Sequence, residues 1–291
     1  MSSLEMQLKR GFDPLKYGEA IKKIVTRVGS SGRERLYIKA PTNDPKNKTL
    51  DFRISNYYLK TAVADTVGCN LRCVFCWTID RFRDCPKIKD AGVFYSPIQV
   101  ANALNTTAKK FDCKYLRLTQ GEPTLDMDHL THVLDELIKL NAPYISANMP
   151  YTFILETNGL LLGKYSNFAK RLSEYTKTGS IEKPFIHVRV SIKGATAPKF
   201  RLYTFADASF YKLQFDALKN CLDAGLSVHP AVMLDFIETR EEFETLRTSL
   251  ENIDQSMLKA LEFERLFLED YVIARLNKHK IPFKTILNGG N

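Results

Sequence analysis

From Lys60 onward, short apolar runs rich in β-branched residues alternate with amphipathic stretches of helical period, the pattern of stacked β-α units. Lys60–Thr66 (KTAVADT), Lys114–Thr119 (KYLRLT), Tyr151–Glu156 (YTFILE), Phe185–Ile192 and Leu226–Leu234 read as five strands. Between them the spacing predicts helices. Ser96-Pro97 supplies an N-cap and a first-position proline for a helix to about Phe111, and Asp126 or Asp128 caps one ending near Leu140. Further helices lie near Lys164–Thr176 and Ser209–Ala224; Arg240 to about Lys278 reads as helical, and Ile281–Leu287 as a sixth strand. Crossover helices of this length favour parallel strands, so the expected fold is an α/β partial (β/α)6 TIM-like barrel. Ahead of it, Asp13-Pro14 opens a helix that Gly29 closes, and the polar stretch Pro41–Thr49 leads into the first strand. The expected organisation is a basic N-terminal extension over 1–59, a core over 60–235 and a C-terminal helical segment over 236–291.

Composition narrows the class. With 291 residues, 44% hydrophobic and 26% charged, the chain can bury a sizeable core, which excludes intrinsic disorder, collagen and coiled coil. No apolar run approaches the roughly 18 residues of a membrane helix, and Met1–Arg10 lacks the apolar core of a signal peptide, so no membrane partner and a cytoplasmic location are expected. The net charge of +9 is unevenly placed: residues 1–60 hold 13 basic and 6 acidic side chains, and residues 61–291 hold 29 and 27. A basic arm can steer an anionic partner such as RNA, or can form a solvated surface.

In a reducing cytoplasm the six cysteines should be thiols or metal ligands. Cys69, Cys73 and Cys76 fall within eight residues, whereas Cys85, Cys113 and Cys221 are scattered. Cys113 and Cys221 suit core packing; Cys85 either packs or lines a site. Loops leaving the C-terminal ends of parallel strands share one rim. The three cysteines, Thr119–Pro123, Glu156–Gly159, then Arg189, Ser191 and Lys193, and finally His229, all fall near that rim. Thiolates spaced +4 and +3 can take three corners of an iron–sulfur cube, which leaves one iron free to chelate a small molecule. A structural zinc closed by Cys85 is the competing reading, and would make the chain a binding module without turnover. Several of the other groups also have plain readings: Asn158-Gly159 is a turn dipeptide, Lys193 a loop lysine, and His229, between Val228 and Pro230, a core histidine.

C-x3-C-x2-C with Phe75 before its last cysteine, followed one strand later by Gly121-Glu122-Pro123, is similar to the radical S-adenosylmethionine enzymes over about residues 60–235. The strings ETNG (Glu156–Gly159) and SIK (Ser191–Lys193) resemble the branch of the pyruvate formate-lyase activating enzymes and the uncharacterised iron–sulfur proteins near it. Gln120 stands where that family usually has the first Gly of GGE, and Ser191 where its branch has the Asp of DLK. The resemblance implies a [4Fe–4S] cluster on Cys69, Cys73 and Cys76, and S-adenosylmethionine as cofactor. Gln120, Gly121 and Glu122 would face its amino group, Phe75 its adenine and Lys193 its carboxylate. Ser191, Glu156, Asn158 and His229 would meet its ribose or nearby polar edges. It also implies reductive cleavage to a 5′-deoxyadenosyl radical, a one-electron donor of the flavodoxin or ferredoxin type, and an unidentified substrate. Glycyl-radical activation of a protein partner follows from the branch; modification of RNA or a nucleotide is the alternative that the basic N-terminal segment raises.

Overall fold

The apolar runs form a sheet of seven strands in the computed structural model, which describes residues 11–28, 34–39, 52–55, 60–80, 92–141, 151–178 and 184–283. In chain order the strands are β1 (Thr26–Val28), β2 (Glu34–Lys39), β3 (Phe52–Ser55), β4 (Thr61–Asp65), β5 (Gly92–Tyr95), β6 (Tyr115–Thr119), β7 (Thr152–Thr157), β8 (Ile186–Ile192), β9 (Ser227–Met233) and β10 (Glu262–Glu264). The helices are α1 (Pro14–Val25), α2 (Pro97–Phe111), α3 (Met127–Asn141), α4 (Leu160–Lys164), α5 (Ser166–Ser173), α6 (Ala197–Thr204), α7 (Lys212–Asp223), α8 (Arg240–Glu251), α9 (Gln255–Lys259) and α10 (Asp270–Lys278). The large sheet runs β10-β9-β8-β7-β6-β4-β3, its first six strands parallel and β3 antiparallel on the β4 edge; β1, β2 and β5 make a small antiparallel sheet. This mostly parallel sheet with interposed helices is the partial barrel expected from the β-α alternation.

Side chains alternate across each strand, and here the two faces differ in chemistry. On β8, Val188, Val190 and Ile192 enter the apolar core beside Leu116, Leu118, Phe153 and Leu155, together with helix residues Leu104, Val133 and Leu137. The intervening His187, Arg189 and Ser191 face the other way, into the concave side of the sheet, where they meet polar groups from β7, β9 and β10. Each fully buried Leu, Val or Phe contributes about 1.5–3 kcal/mol. The apolar face therefore holds the sheet and leaves the polar one available for a site. Helix starts follow the sequence signals: Gln99 Oε1 accepts from the Ser96 N–H at 2.8 Å, and Asp126, rather than Asp128, caps α3 by accepting from the His129 N–H at 3.1 Å.

Three expectations are corrected. The N-terminal helix stops at Val25, because the β-branched residues Val25, Thr26 and Val28 lead the chain into β1; Gly29 and the stretch 41–49 lie outside the described residues. The region before β4 also contributes β2 and β3 beside its helix. Finally, 240–278 is interrupted. Asp254 caps α9 through the Ser256 N–H at 2.7 Å, and the alternating Glu262 and Glu264 are drawn to Arg189, which makes β10 the sixth parallel strand. Ile281–Phe283 carry no strand, and 284–287 lie outside the described residues. Among the described residues no helix is long and apolar enough to cross a membrane.

Candidate active site

The loop leaving β4 carries Cys69, Cys73 and Cys76, and its start is tied to β6 by Thr66 N–H donating to Thr119 O at 2.8 Å. Within it Cys76 N–H donates to Cys73 O at 3.2 Å, and Val74 N–H reaches out to Tyr203 O on α6 at 2.8 Å. Backbone N–H groups of Leu71 and Thr78 donate to the sulfurs of Cys69 and Cys76, each at 3.4 Å. All three cysteines line one cavity of about 490 Å³, within the size range of small-molecule sites. Burial, Glu122 and Cys73 push the Cys69 thiol above its ordinary value. Among the described residues no three His, Cys, Asp or Glu side chains converge on a single ion. Three thiolate donors on one cavity wall are of the kind that iron–sulfur clusters take. Cys85, the proposed fourth zinc ligand, lies outside the described residues.

The Gln120–Pro123 turn sits directly on this loop. Glu122 N–H donates to Gly68 O at 2.8 Å, and a Cβ on Gly121 would lie 2.4 Å from that carbonyl and 2.8 Å from Thr66 Oγ1. The glycine is required by the approach of one protein loop to another. Gln120 adopts φ +78°, a left-handed conformation that costs a non-glycine residue about 1 kcal/mol, and it lines the cavity. Glu122 also borders the cavity, but its carboxylate accepts from Thr124 N–H (3.1 Å), Thr124 Oγ1 (2.6 Å), Thr157 Oγ1 (2.7 Å) and Asn158 N–H (2.7 Å). Burial pushes this carboxyl above its ordinary value while those bonds oppose the rise. Its role in this geometry is to join the β6 and β7 loops.

Asn158 Nδ2 donates to Asn70 Oδ1 at 2.6 Å and lies 3.8 Å from Cys69 Sγ, which ties the β7 loop to the cysteines. Glu156 pairs with Arg117 Nη1 at 3.0 Å, accepts from Thr119 Oγ1 and lies 3.9 Å from Arg189 Nη1. Lys193 Nζ donates to Ser191 Oγ at 2.7 Å and stands 5.8 Å from the ring centroid of Phe75, which brings these three residues together. Phe75 itself packs on Phe236 and Tyr203 at 5.2 and 6.1 Å. Phe75, Gln120, Gly121, Glu122, Glu156, Asn158, Ser191 and Lys193 all border the same cavity. His229 does not. Its strand register pairs it with Arg189 below the rim, and both ring nitrogens are engaged, with His187 at 2.6 Å and with Glu262 at 2.9 Å.

The sequence places Arg189 near the rim but not its partners, and it does not bring Glu262, Glu264, Arg275 or Tyr271 to the site. Arg189, 3% exposed, crosses β9 to reach Glu262 at 2.9 Å and Glu264 at 2.8 Å. Burial opposes charge on Glu264, yet Arg189 and Lys193 hold its carboxyl below the ordinary value. A charged residue inside an apolar strand, Arg117 in YLRLT, and the acidic alternation EFE of β10 were the available signals. Arg275 on α10 donates to the carbonyls of Cys73 (3.4 Å), Cys76 and Thr78 (3.3 Å), and the Tyr271 hydroxyl donates to Trp77 O.

The family model described as the Radical SAM superfamily matches residues 63–250. No curated protein matches the chain. Among solved structures, Streptococcus suis SuiB bound to S-adenosylmethionine aligns with TM-score 0.48 and 14% identity over 74% of this chain and 44% of that one, so the present chain spans less than half of it. A radical SAM methyltransferase from Sphaerobacter thermophilus aligns with TM-score 0.47 and 9% identity over 88% of this chain and 72% of that one. The cobalamin-dependent S-adenosylmethionine radical enzyme OxsB with aqua-cobalamin bound aligns with TM-score 0.45 and 14% identity over 88% and 36%.

Proposed function

The chain belongs to the Radical SAM superfamily, and from that premise we propose that its cavity binds a [4Fe–4S] cluster and S-adenosylmethionine to initiate hydrogen abstraction from a substrate. The observation that carries this reading is the gathering of Cys69, Cys73 and Cys76 on one cavity with the Gly121-Glu122 turn seated on their loop. When bound, the cluster would pass one electron from an external donor to the sulfonium, whose C5′–S bond would break to leave methionine and a 5′-deoxyadenosyl radical. The protein's part is to hold and to shield.

The three thiolates would anchor the cluster, and the backbone of Gln120 and Gly121 would present acceptors toward the amino group of the cofactor. Lys193, steadied by Ser191, offers a cation to its carboxylate; Phe75, beneath Lys193, offers an apolar face to adenine. Asn158 and Glu156 supply polar edges for the ribose. Glu122 keeps the turn in place from behind. Trp77 and Phe267 stand at the cavity's exposed side, 41% and 64% exposed, where a substrate would enter and displace water.

A protein glycyl loop is the substrate suggested by the ETNG and SIK strings, with a flavodoxin or ferredoxin as electron donor in a reducing cytoplasm. The charge of residues 1–60 supports RNA as the second reading; salt separates the two, since binding through phosphates weakens steeply as salt rises. Anaerobic reconstitution should give brown protein with about four irons per chain. On reduction it should release 5′-deoxyadenosine, at least about a hundredfold less in Cys73→Ala. Colourless protein holding one zinc would overturn the reading.

A further inference from the structure

We propose that Arg275 is a positioning residue for the cluster: from α10 it clamps the backbone of the cysteine loop and sets the charge behind the cysteines. The inference rests on the cluster reading above, and it concerns how this chain holds that loop.

On α10, Val272, Arg275 and Leu276 share the buried face at helical spacing, with Val272 and Leu276 0% and Arg275 8% exposed. A guanidinium in a position suited to an apolar residue is costly unless its donors are met. Three of its contacts run to one short segment, the carbonyls of Cys73, Cys76 and Thr78, and Asp80 Oδ1 lies 3.7 Å from Nε. Tyr271, one turn earlier, donates to Trp77 O in the same segment. Residues 73–78 contain no helix or strand, so their dihedral angles, and with them the positions of two of the three sulfurs, are set by such outside bonds. Arg can do this where Lys cannot, because its planar fork carries several donors in fixed directions.

The charge has a second consequence. A cation buried against the carbonyls that flank Cys73 and Cys76 favours the more negative, reduced form of a cluster on those thiolates. Arg275 therefore makes the loop rigid and electron uptake easier.

The test compares wild type, Arg275→Met and Arg275→Lys. In the apo chain, mass spectrometry of maleimide labelling should show Cys73 and Cys76 reacting about tenfold faster in Arg275→Met as the loop opens, with Cys221 as an internal control. In the reconstituted chain the reduction equilibrium of Arg275→Met should fall about tenfold, about 59 mV for a one-electron couple. Arg275→Lys keeps the cation but not the fork, so its potential should stay near wild type while labelling remains faster. Wild-type labelling in both variants, with a wild-type potential in Arg275→Met, would overturn the proposal. Should Arg275→Met fail to fold, the labelling of Arg275→Lys decides: faster supports the clamp, unchanged rejects it. A wild-type chain that takes up no iron would refute the cluster reading, while the apo labelling would still decide whether Arg275 holds the loop.

Discussion

A carboxylate that already accepts four hydrogen bonds has little left to offer a ligand, and Glu122 shows how a residue at a cavity wall can work on the protein instead. His187 shows the same economy in a titratable group. Burial, His229 and Arg189 push its imidazole from the ordinary 6.5 down to about 4, so the fold keeps it neutral while it bonds Ser227 Oγ at 2.7 Å and His229 at 2.6 Å. The sign follows from linkage: above about pH 6.5 neither state binds the proton, and as the pH falls toward about 4 the unfolded chain takes up a proton that the fold refuses. At about pH 5 this group alone should cost about 2 kcal/mol of stability. Thermal unfolding at about pH 7 and about pH 5 checks it, and His187→Gln should flatten the difference.

Among the elements, β10 is held to the sheet chiefly through its two acidic side chains. Three residues long and paired only with β9 in the ladder, it is fastened from β8 by the Arg189 fork. Arg189→Met removes the guanidinium that Glu262 and Glu264 share and leaves the more distant Lys193 as the cation beside Glu264. Both acids keep about a quarter of their exposure, so the expected loss is about 2–3 kcal/mol, below that of a fully buried pair. Denaturant unfolding would read it. This strand also marks what the sequence made legible. Long apolar runs such as YTFILE and IHVRVSI declare themselves locally, and so does C-x3-C-x2-C, because its three cysteines fall within eight residues. EFE, read alone, falls inside a stretch with helical composition; its identity depends on Arg189, 73 residues earlier. Two partners of Glu122, Thr157 and Asn158, lie 35 and 36 residues away, so the bonds that tie its carboxylate to the β7 loop are not legible around it in the sequence. His229 similarly looks like a rim residue until strand register sets it level with Arg189.

For the whole molecule, the sheet and the C-terminal helix share one core. Val272, Leu276 and Ile281 are buried with the strand residues of the barrel, and each contributes about 1.5–3 kcal/mol. A chain ending at Glu269 forfeits all three, a sum comparable with the 5–15 kcal/mol that holds a typical domain together. The truncated chain should therefore lose its cooperative melting transition, visible by circular dichroism, whereas a point change such as Arg275→Lys should leave a single transition.

The distance along the chain between the cysteine loop and its clamp has a meaning in time. Cys73 and Arg275 are 202 residues apart, and at about 5–20 residues per second a ribosome needs roughly 10–40 s to travel from one to the other. During that interval the thiols stand on a loop that still lacks its contacts from α10, so the backbone around Cys73 and Cys76 reaches its final arrangement only after that helix has emerged and docked.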